Sequence, residues 1–240
     1  MLRVGRGLVF ALSTGLACPV FAGERAQLQP QYEAWAGAEA FHNVWSIYAG
    51  GTHAPFGSVF QDGFRLRAVA GYGAYRYPKL SSPGSFQGAA SFADLLAGFH
   101  KQLGTLTIKV LGGITVTDRS VDDPNGRNGT DWGGRVVLET WWNVTDRAWT
   151  SVDISWTTLD DVYGARARLG WRLVPALSVG IEAGSTGNLD YDAARLGGFV
   201  RYEWTGGEMS LSAGIAGDGP RSGSVDLDGA FATINLLTRF

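Results

Sequence analysis

Charged side chains recur at every second position inside otherwise apolar stretches of this chain, as Arg65 and Arg67 do on either side of Leu66. A two-residue period places alternate side chains on opposite faces of a β-strand, so these charges share one face. Facing an enclosed space, they could form a selective channel or an ion-binding site. The alternative is that they neutralise one another. We favour this alternative because buried charges need partners of opposite sign. The candidate network comprises Arg65, Arg67, Asp94, Lys109, Arg135, Glu139, Asp153, Arg166, Arg168, Arg172, Glu182, Arg195, Arg201 and Glu203.

Catalytic chemistry has weaker support in the sequence. A hydrolase needs a nucleophile, a base and an orienting group within hydrogen-bond reach. The chain has three histidines. His42 and His53 fall in predicted turns, and His100 shares a strand face with the charged Asp94. The chain has no Gly-x-Ser-x-Gly elbow. The stretch DDPNGRNGTD lacks the regular oxygen spacing and the closing glutamate of a helical calcium motif. We therefore predict no catalytic site, no metal site and no cofactor.

The elements that position these charges are strands, and the clearest is TLTIKVLGGITVT, residues 105–117. Its even-numbered positions are aliphatic or glycine, whereas Lys109 and all four of its threonines take odd positions. The three- and four-residue spacing of an amphipathic helix is absent. The run exceeds the ~9–11 residues that a tilted strand needs to cross a bilayer. We expect Ile108 and Val110 to face lipid and Lys109 to face the lumen.

The same alternation recurs along the chain and predicts an all-β protein, an antiparallel transmembrane outer-membrane β-barrel. Short links are predicted at residues 102–105, 143–146, 173–176 and 205–208. Longer polar links are predicted at residues 78–88, 118–131, 187–193 and 217–229. Because such barrels have short periplasmic turns and long external loops, residues 53–62 become a periplasmic turn. Residues 32–41 then supply the first of twelve strands; if they lie outside the wall, ten strands are the alternative.

Aromatic residues support a membrane-spanning wall. Five tryptophans are expected on the lipid side near strand ends, as aromatic girdles require: Trp132, Trp142, Trp156, Trp171 and Trp204. The chain ends in ATINLLTRF, where the last strand must pair with the first. We predict that Ile234, Leu236 and Phe240 form an insertion signal for the outer-membrane assembly machinery.

The amino terminus indicates export. Arg3 and Arg6 precede an apolar stretch of about ten residues and the small-residue site VFA, so residues 1–22 are predicted to be a cleaved secretory signal. Residues 23–31 form a predicted periplasmic segment, and residues 32–240 form one barrel domain. The lone Cys18 lies inside the signal. The net charge of −2 argues against a nucleic-acid partner. The expected location is the outer membrane of a Gram-negative bacterium, in contact with its lipid.

Two runs carry a family resemblance, WAGAEAFHNVWSIYAGGTHAPFGSVFQDGFRLRAVAGYGAYRY and LGWRLVPALSVGIEAGSTGNLDYDAARLGGFVRYEW. Their order and spacing resemble the BcsS family of cellulose-biosynthesis proteins, and the resemblance extends from about Trp35 to Phe240. It implies an outer-membrane protein associated with bacterial cellulose, an exopolysaccharide, and possible contact with cellulose or with components of its synthesis system. It supplies no catalytic residues.

The function expected from this resemblance is a non-enzymatic accessory role in cellulose biosynthesis or secretion. A small passive channel is the runner-up, and a lipid- or glycan-modifying enzyme is third. A glucan partner would stack its sugar rings on aromatic faces. The lumen-facing candidates for such a track are Tyr48, Tyr75, Tyr77, Trp141 and Trp149. The alternative is that these aromatics lie at the membrane interface or fill the lumen.

Overall fold

The computed structural model describes residues 29–41, 43–79, 82–124, 126–188, 192–219 and 226–240. The predicted signal peptide, most of the predicted periplasmic segment and His42 lie outside these residues. The strands are β1 Tyr32–Phe41, β2 Val44–His53, β3 Gly63–Lys79, β4 Ser82–Leu103, β5 Leu106–Val121, β6 Gly129–Asn143, β7 Ala148–Thr157, β8 Tyr163–Val174, β9 Leu177–Gly187, β10 Asp192–Trp204, β11 Gly207–Asp218 and β12 Asp226–Arg239. No helix in the described part of the chain is long and apolar enough to span a membrane.

The twelve strands close into one antiparallel barrel in which each strand pairs with its neighbours in sequence. The seam is formed by β1 and β12, which pair from Glu33 and Arg239 to Phe41 and Phe231. The prediction of twelve strands is confirmed, and the alternative of ten is wrong. Residues 32–41 belong to the wall because their alternation matches the strands on both sides.

The two faces of the wall differ in the way that the period of two predicts. On β5, Val110 is 55% exposed on the outer face, whereas the neighbouring Leu111 is 2% exposed inside. The five predicted girdle tryptophans are exposed on the outer face. An outer surface of exposed apolar side chains needs lipid as its solvent, and a closed barrel satisfies the hydrogen bonds of the wall. The chain is an outer-membrane barrel.

Several strands extend beyond their predicted ends. β3 continues to Lys79 and β4 begins at Ser82, so residues 78–88 are mostly a paired hairpin rather than an open loop. β5 likewise reaches Val121, inside the predicted link at 118–131. The reason is that a ladder needs only backbone donors and acceptors, so pairing continues past the apolar part of a strand.

Candidate functional site

The barrel encloses a cavity of about 890 Å³ that is lined mainly by charged, polar and aromatic side chains. We call the end of the barrel that carries Phe240 and the tight turns the periplasmic end. The candidate site is the cavity and the side chains that line it. Most of the predicted charge network lies here, and it divides into two clusters at different heights.

The first cluster lies towards the periplasmic end, and we call it the periplasmic charge chain. It comprises eight side chains: Arg67, Glu139, Lys109, Glu33, Arg239, Glu208, Arg201 and Glu203. Each is within 4 Å of a neighbour of opposite sign, so the signs alternate along its whole length. The chain involves strands β3, β6, β5, β1, β12, β11 and β10. Charges on opposite walls are therefore joined through the lumen.

The contact between Arg67 and Glu139 is the best-defined link in this chain. Arg67 donates from both terminal nitrogens to the two oxygens of Glu139, at 2.5 and 2.9 Å. Its Nε donates to Thr52 Oγ1 at 3.1 Å. These two charges lie three strands apart around the wall. A bidentate guanidinium–carboxylate pair is among the stronger charged contacts, and it fixes the orientation of both planes.

Lys109 extends the chain to the seam. Its ammonium lies 3.8 Å from Glu139 and 3.6 Å from Glu33 on β1. Glu33 also accepts a hydrogen bond from Nε of Arg239 at 3.0 Å. Arg239 lies 3.7 Å from Glu208. The first and last strands are thus joined inside the lumen by a carboxylate that faces two cations.

The second cluster lies farther from the periplasmic end. Arg168 Nε donates to Glu182 at 2.5 Å, and Arg195 lies 3.3 Å from Glu182 and 3.0 Å from Glu39. Glu182 is fully buried, and Ser212 also donates to it at 3.2 Å. Two further pairs are Arg166 with Asp153, at 2.8 Å, and Arg135 with Asp94, at 3.4 Å. Burial of these charges is offset by opposite charges and hydroxyl groups.

Two predicted members of the network have other partners. Arg65 bonds to backbone carbonyls and to His100, and Arg172 bonds to Asn143 and to the carbonyl of Asp146. Neither lies within 4 Å of a carboxylate among the described residues, so they stand apart from the ion pairs, and their membership of a lumenal charge network stays a prediction. Both lie near turns, where free backbone carbonyls compete for a guanidinium.

Sequence reasoning missed four charges that the clusters use: Glu33, Glu39, Glu208 and Arg239. The two-residue alternation could have identified them. Glu33 and Glu39 lie on the same face of the first strand, and Arg239 lies on the lumen-facing side of the last strand. Apolar and small residues dominate those strands, so the few charges among them stand out less than the charges of the central strands.

The lumenal aromatic side chains pack against one another. Trp149 is fully buried, stacks on Trp141 with ring centroids 4.1 Å apart, and contacts Phe199 at 5.3 Å. Gly170 makes room for it, because a Cβ there would lie 2.2 Å from the indole ring. The Arg201 guanidinium lies 4.5 Å from the Trp141 ring centroid. Trp149 is covered by these neighbours, and stacking of a sugar on Trp141 or Trp149 stays a prediction.

The other three candidate aromatics differ in how they are held. The Tyr48 hydroxyl donates a short hydrogen bond to Asn235 across the seam. The Tyr75 ring packs over Gly88 on the neighbouring strand. The side chain of Tyr77 lies outside the described residues. Stacking of a sugar on any of the three stays a prediction.

Residues 54–62 join β2 to β3 and form a folded segment at the periplasmic end, which we call the mouth segment. Ala54, Ser58 and Val59 are buried. The amide N–H of Val59 donates to the carbonyl of Pro30 at 2.8 Å, and so does the Ser58 hydroxyl at 3.0 Å. The sequence predicted a turn here but not that it would dock against the barrel.

At the end of the mouth segment, the carboxylate of Asp62 pairs with Lys101 and accepts the backbone N–H of Gln102 at 2.7 Å. These hydrogen bonds, Lys101 first, hold the pKa of Asp62 below its usual range. The mouth segment is therefore tied to the end of β4 as well as to Pro30, which lies just before β1.

The described histidines do not form a catalytic arrangement with a nucleophile. His100 is buried, with Nδ1 3.1 Å from both Arg65 Nη2 and the Val59 carbonyl. His53 stacks on Tyr32, with centroids 4.4 Å apart. Among the described residues, no group of three or more His, Cys, Asp or Glu side chains is placed to hold a metal ion.

The predicted insertion signal lies on the outer face of β12 and just beyond it, where Ile234, Leu236 and Phe240 are exposed. Phe240 pairs through its backbone N–H and carbonyl with Tyr32, at 3.0 and 2.9 Å. The two rings stack with centroids 5.7 Å apart. The seam thus ends on an aromatic pair; its role in insertion stays a prediction.

The barrel sequence also matches a known protein family. The model of the family described as cellulose biosynthesis protein BcsS matches residues 34–240, which is nearly the whole barrel. The chain belongs to the BcsS family. The family links this BcsS barrel to cellulose biosynthesis. No curated protein sequence matches the chain.

Solved structures support the fold of the BcsS barrel. An outer-membrane channel from Pseudomonas putida F1 is 13% identical, with a TM-score of 0.52 and coverage of 92% of this chain and 100% of that one. The β domain of the Bordetella autotransporter BrkA is 14% identical, with a TM-score of 0.54 and coverage of 88% and 100%. The translocator domain of NalP from Neisseria meningitidis is 13% identical, with a TM-score of 0.51 and coverage of 90% of each chain. At these identities the likeness concerns the fold alone.

Proposed function

We propose that this barrel is a non-enzymatic accessory of bacterial cellulose biosynthesis or secretion, and that it acts as a closed barrel rather than as the conduit for the polymer. Family membership supports the link to cellulose. The proposal includes export through a signal at residues 1–22, insertion by the outer-membrane assembly machinery, and contact with components of a cellulose synthesis system.

The observation that carries the closed-barrel proposal is the periplasmic charge chain. Arg67 reaches Glu139 across the curve of the wall, and Lys109 lies between Glu139 and Glu33 of the seam. A glucan chain passing this level would have to separate these pairs. Separation would leave Arg67, which is buried, without its carboxylate, and an unpaired buried charge is strongly unfavourable.

The experiment that tests the proposal is deletion of the gene, followed by measurement of cellulose at the cell surface and in the periplasm. We expect less cellulose at the surface and no accumulation in the periplasm, with recovery when the wild-type chain is supplied. Accumulation of polymer in the periplasm would instead indicate a conduit. Unchanged cellulose in both places would contradict any role in this process.

A small passive channel is a second candidate, and the enclosed cavity of about 890 Å³ favours it. A twelve-stranded barrel lies in size between the filled eight-stranded forms and the open 16- to 18-stranded porins. Recording from the purified barrel in planar bilayers separates the two candidates. A steady open conductance would favour the channel.

The enzyme interpretation depends on His100, the one described histidine that faces the lumen. Its Nδ1 contacts Arg65 and a backbone carbonyl, which gives it a structural task. We expect a His100→Gln variant that assembles normally to restore cellulose in the deletion strain. Loss of cellulose despite normal assembly would support catalysis.

A further inference from the structure

The mouth segment lies at the periplasmic end of the lumen, beneath the cavity. Three side chains that point into the lumen from different strands touch it: Arg65 from β3, His100 from β4 and Arg239 from β12. Arg65 and His100 contact its backbone, and the Arg239 guanidinium lies 5.4 Å from the ring centroid of Phe60. Val59 and Phe60 line the cavity. The segment therefore forms part of the cavity floor at its periplasmic end.

Arg65 holds the segment in this position. Arg65 is 2% exposed, and its Nη2 donates to the carbonyl oxygens of Ser58, at 3.0 Å, and Val59, at 3.3 Å, and also to that of Gln61. These three carbonyls all belong to the mouth segment, so one side chain of β3 satisfies several of its backbone acceptors. His100 Nδ1 lies 3.1 Å from the same Val59 carbonyl.

The opposite part of the floor is built differently. There Trp141 and Trp149 stack on each other, and Arg201 lies over both rings. These side chains belong to β6, β7 and β10, so they are fixed to the wall by strand pairing. The mouth segment is joined to strands only at its two ends. Between them it is held by polar contacts with Arg65, His100 and Pro30 and by burial of Val59. One part of the cavity floor is therefore held by strand pairing. The other part, the mouth segment, can undock without loss of any pairing between strands.

The mouth segment also has the composition of a movable element. Gly57, within the segment, and Gly63, the first residue of β3, have φ of +127° and +147°, values that favour glycine and allow the backbone to turn sharply there. Of its larger apolar side chains, Phe56 and Phe60 are exposed and only Val59 is buried. Little apolar surface therefore opposes release, and elements with few buried apolar contacts open most readily.

We propose that the mouth segment is a gate at the periplasmic end of the lumen, with Arg65 as its latch. Docked on Arg65, it separates the cavity from the periplasm. Released from Arg65, it opens the cavity to water and small ions while the twelve-stranded wall stays intact. The gate is a property of the barrel itself and can be tested without any measurement of cellulose.

The first test measures release of the segment by thiol labelling. Ser58 is buried, and the only native cysteine, Cys18, lies in the predicted signal. Ser58→Cys in the otherwise wild-type barrel should react slowly with a membrane-impermeant maleimide. Adding Arg65→Ala should speed the reaction about tenfold or more, the factor expected for losing one hydrogen bond from a charged donor. Because Ser58→Cys also removes the hydroxyl that donates to Pro30, the deciding comparison is between the variants with and without Arg65, and equal labelling rates would refute the latch.

A matched control is Arg172→Ala. Arg172 is also an arginine near the periplasmic end, but its bonds go to Asn143 and Asp146 rather than to the mouth segment. We expect it to leave the labelling rate of Ser58→Cys unchanged. An equal increase with Arg172→Ala would mean that loss of any such arginine loosens the barrel, and the latch would be refuted.

The second test measures conductance of the purified barrel in planar bilayers. Because Arg65→Ala could fail to fold, the decisive variant replaces residues 55–61 with a Gly-Ser-Gly-Ser link and keeps Arg65. Heat-modifiable migration on a gel verifies that it folds. We expect frequent openings that are rare in the wild type. Conductance equal to wild type in the folded variant would show that the lumen is blocked elsewhere, and the gate would be rejected.

Discussion

The outer and inner faces of the barrel wall are built from the same strands, but different requirements fix their side chains. Val110 on the outer face only has to be apolar, because lipid accepts any such side chain. Lys109, its neighbour on the inner face, lies near carboxylates of β1 and β6. The outer face therefore depends on the average character of its residues, whereas the inner face depends on particular partners.

This difference has a physical origin. Lipid cannot donate or accept hydrogen bonds, so a charge on the outer face has no compensation. The lumen supplies opposite charges and hydroxyl groups, so a charge there is tolerated as long as its partner stays. The outer face should thus be sensitive to insertion of one charge, and the inner face to removal of one partner.

The largest effect is expected from Val110→Arg. A cation at the bilayer midplane on the lipid face of a barrel costs about 2–4 kcal/mol. The variant should fold poorly into lipid vesicles, with a clear loss of the heat-modifiable form on a gel. Val110→Leu is the matched control and should fold like the wild type. Normal folding of the arginine variant would mean that residue 110 does not face lipid.

The next effect is expected from Glu139→Gln on the inner face. It removes the charge that Arg67 and Lys109 share, and Arg67 is buried. We expect a loss of about 2 kcal/mol in the free energy of unfolding, the range for hydrogen bonds to charged groups. Urea titration followed by tryptophan fluorescence measures it. Glu203→Gln should cost less, because Arg201 keeps Glu208.

If Glu203→Gln destabilised the barrel as much as Glu139→Gln, the charge chain would act through its overall electrostatic potential rather than through specific ion pairs. If neither substitution had an effect, water in the lumen would be compensating for each lost partner. Either result would remove the contrast between the two faces.

A smaller effect is expected from Phe240→Ala at the seam. The ring stacks on Tyr32, and such aromatic pairs contribute about 0.5–1.5 kcal/mol. We expect less heat-modifiable protein in the outer membrane and unchanged cleavage of the predicted signal. Phe56→Ala provides a control because Phe56, 80% exposed on the mouth segment, is not part of a strand. Normal assembly of Phe240→Ala would remove the argument for a terminal signal.

The smallest effect is expected from Lys109→Gln. Its two carboxylates keep other partners, since Glu33 retains Arg239 and Glu139 retains Arg67. The change in unfolding free energy should stay within about 1 kcal/mol, as for many partly solvated ion pairs. Urea titration beside the wild type measures it. A loss as large as that of Glu139→Gln would show that Lys109 is essential to the chain.

The sequence was sufficient for the wall because the period of two is local. Each strand shows which residues share a face, and the parity of the turns requires residues 32–41 as a first strand. The outward position of Val110 followed directly. A residue needs only its own strand for this assignment, so no knowledge of the neighbouring strands was required.

The lumenal contacts could be predicted only as a set of candidates. Which carboxylate meets Arg67 depends on strand tilt and barrel diameter, which bring Glu139 from three strands away. The burial of Trp149 depends on the absence of a side chain at Gly170, a contact between neighbouring strands. Docking of the mouth segment depends on Arg65 reaching the carbonyls of Ser58 and Val59, which no alternation reveals.

The most direct test of the claim that Val110 faces lipid and Lys109 faces the lumen compares nitroxide spin labels at Lys109→Cys and Val110→Cys in vesicles. The measurement is the relative accessibility of each label to oxygen, which concentrates in lipid, and to a water-soluble nickel complex. We predict that the label at 110 collides mainly with oxygen and that the label at 109 is comparatively shielded from it. The reverse pattern would contradict the account, because a register slip of one residue exchanges the two faces of a strand.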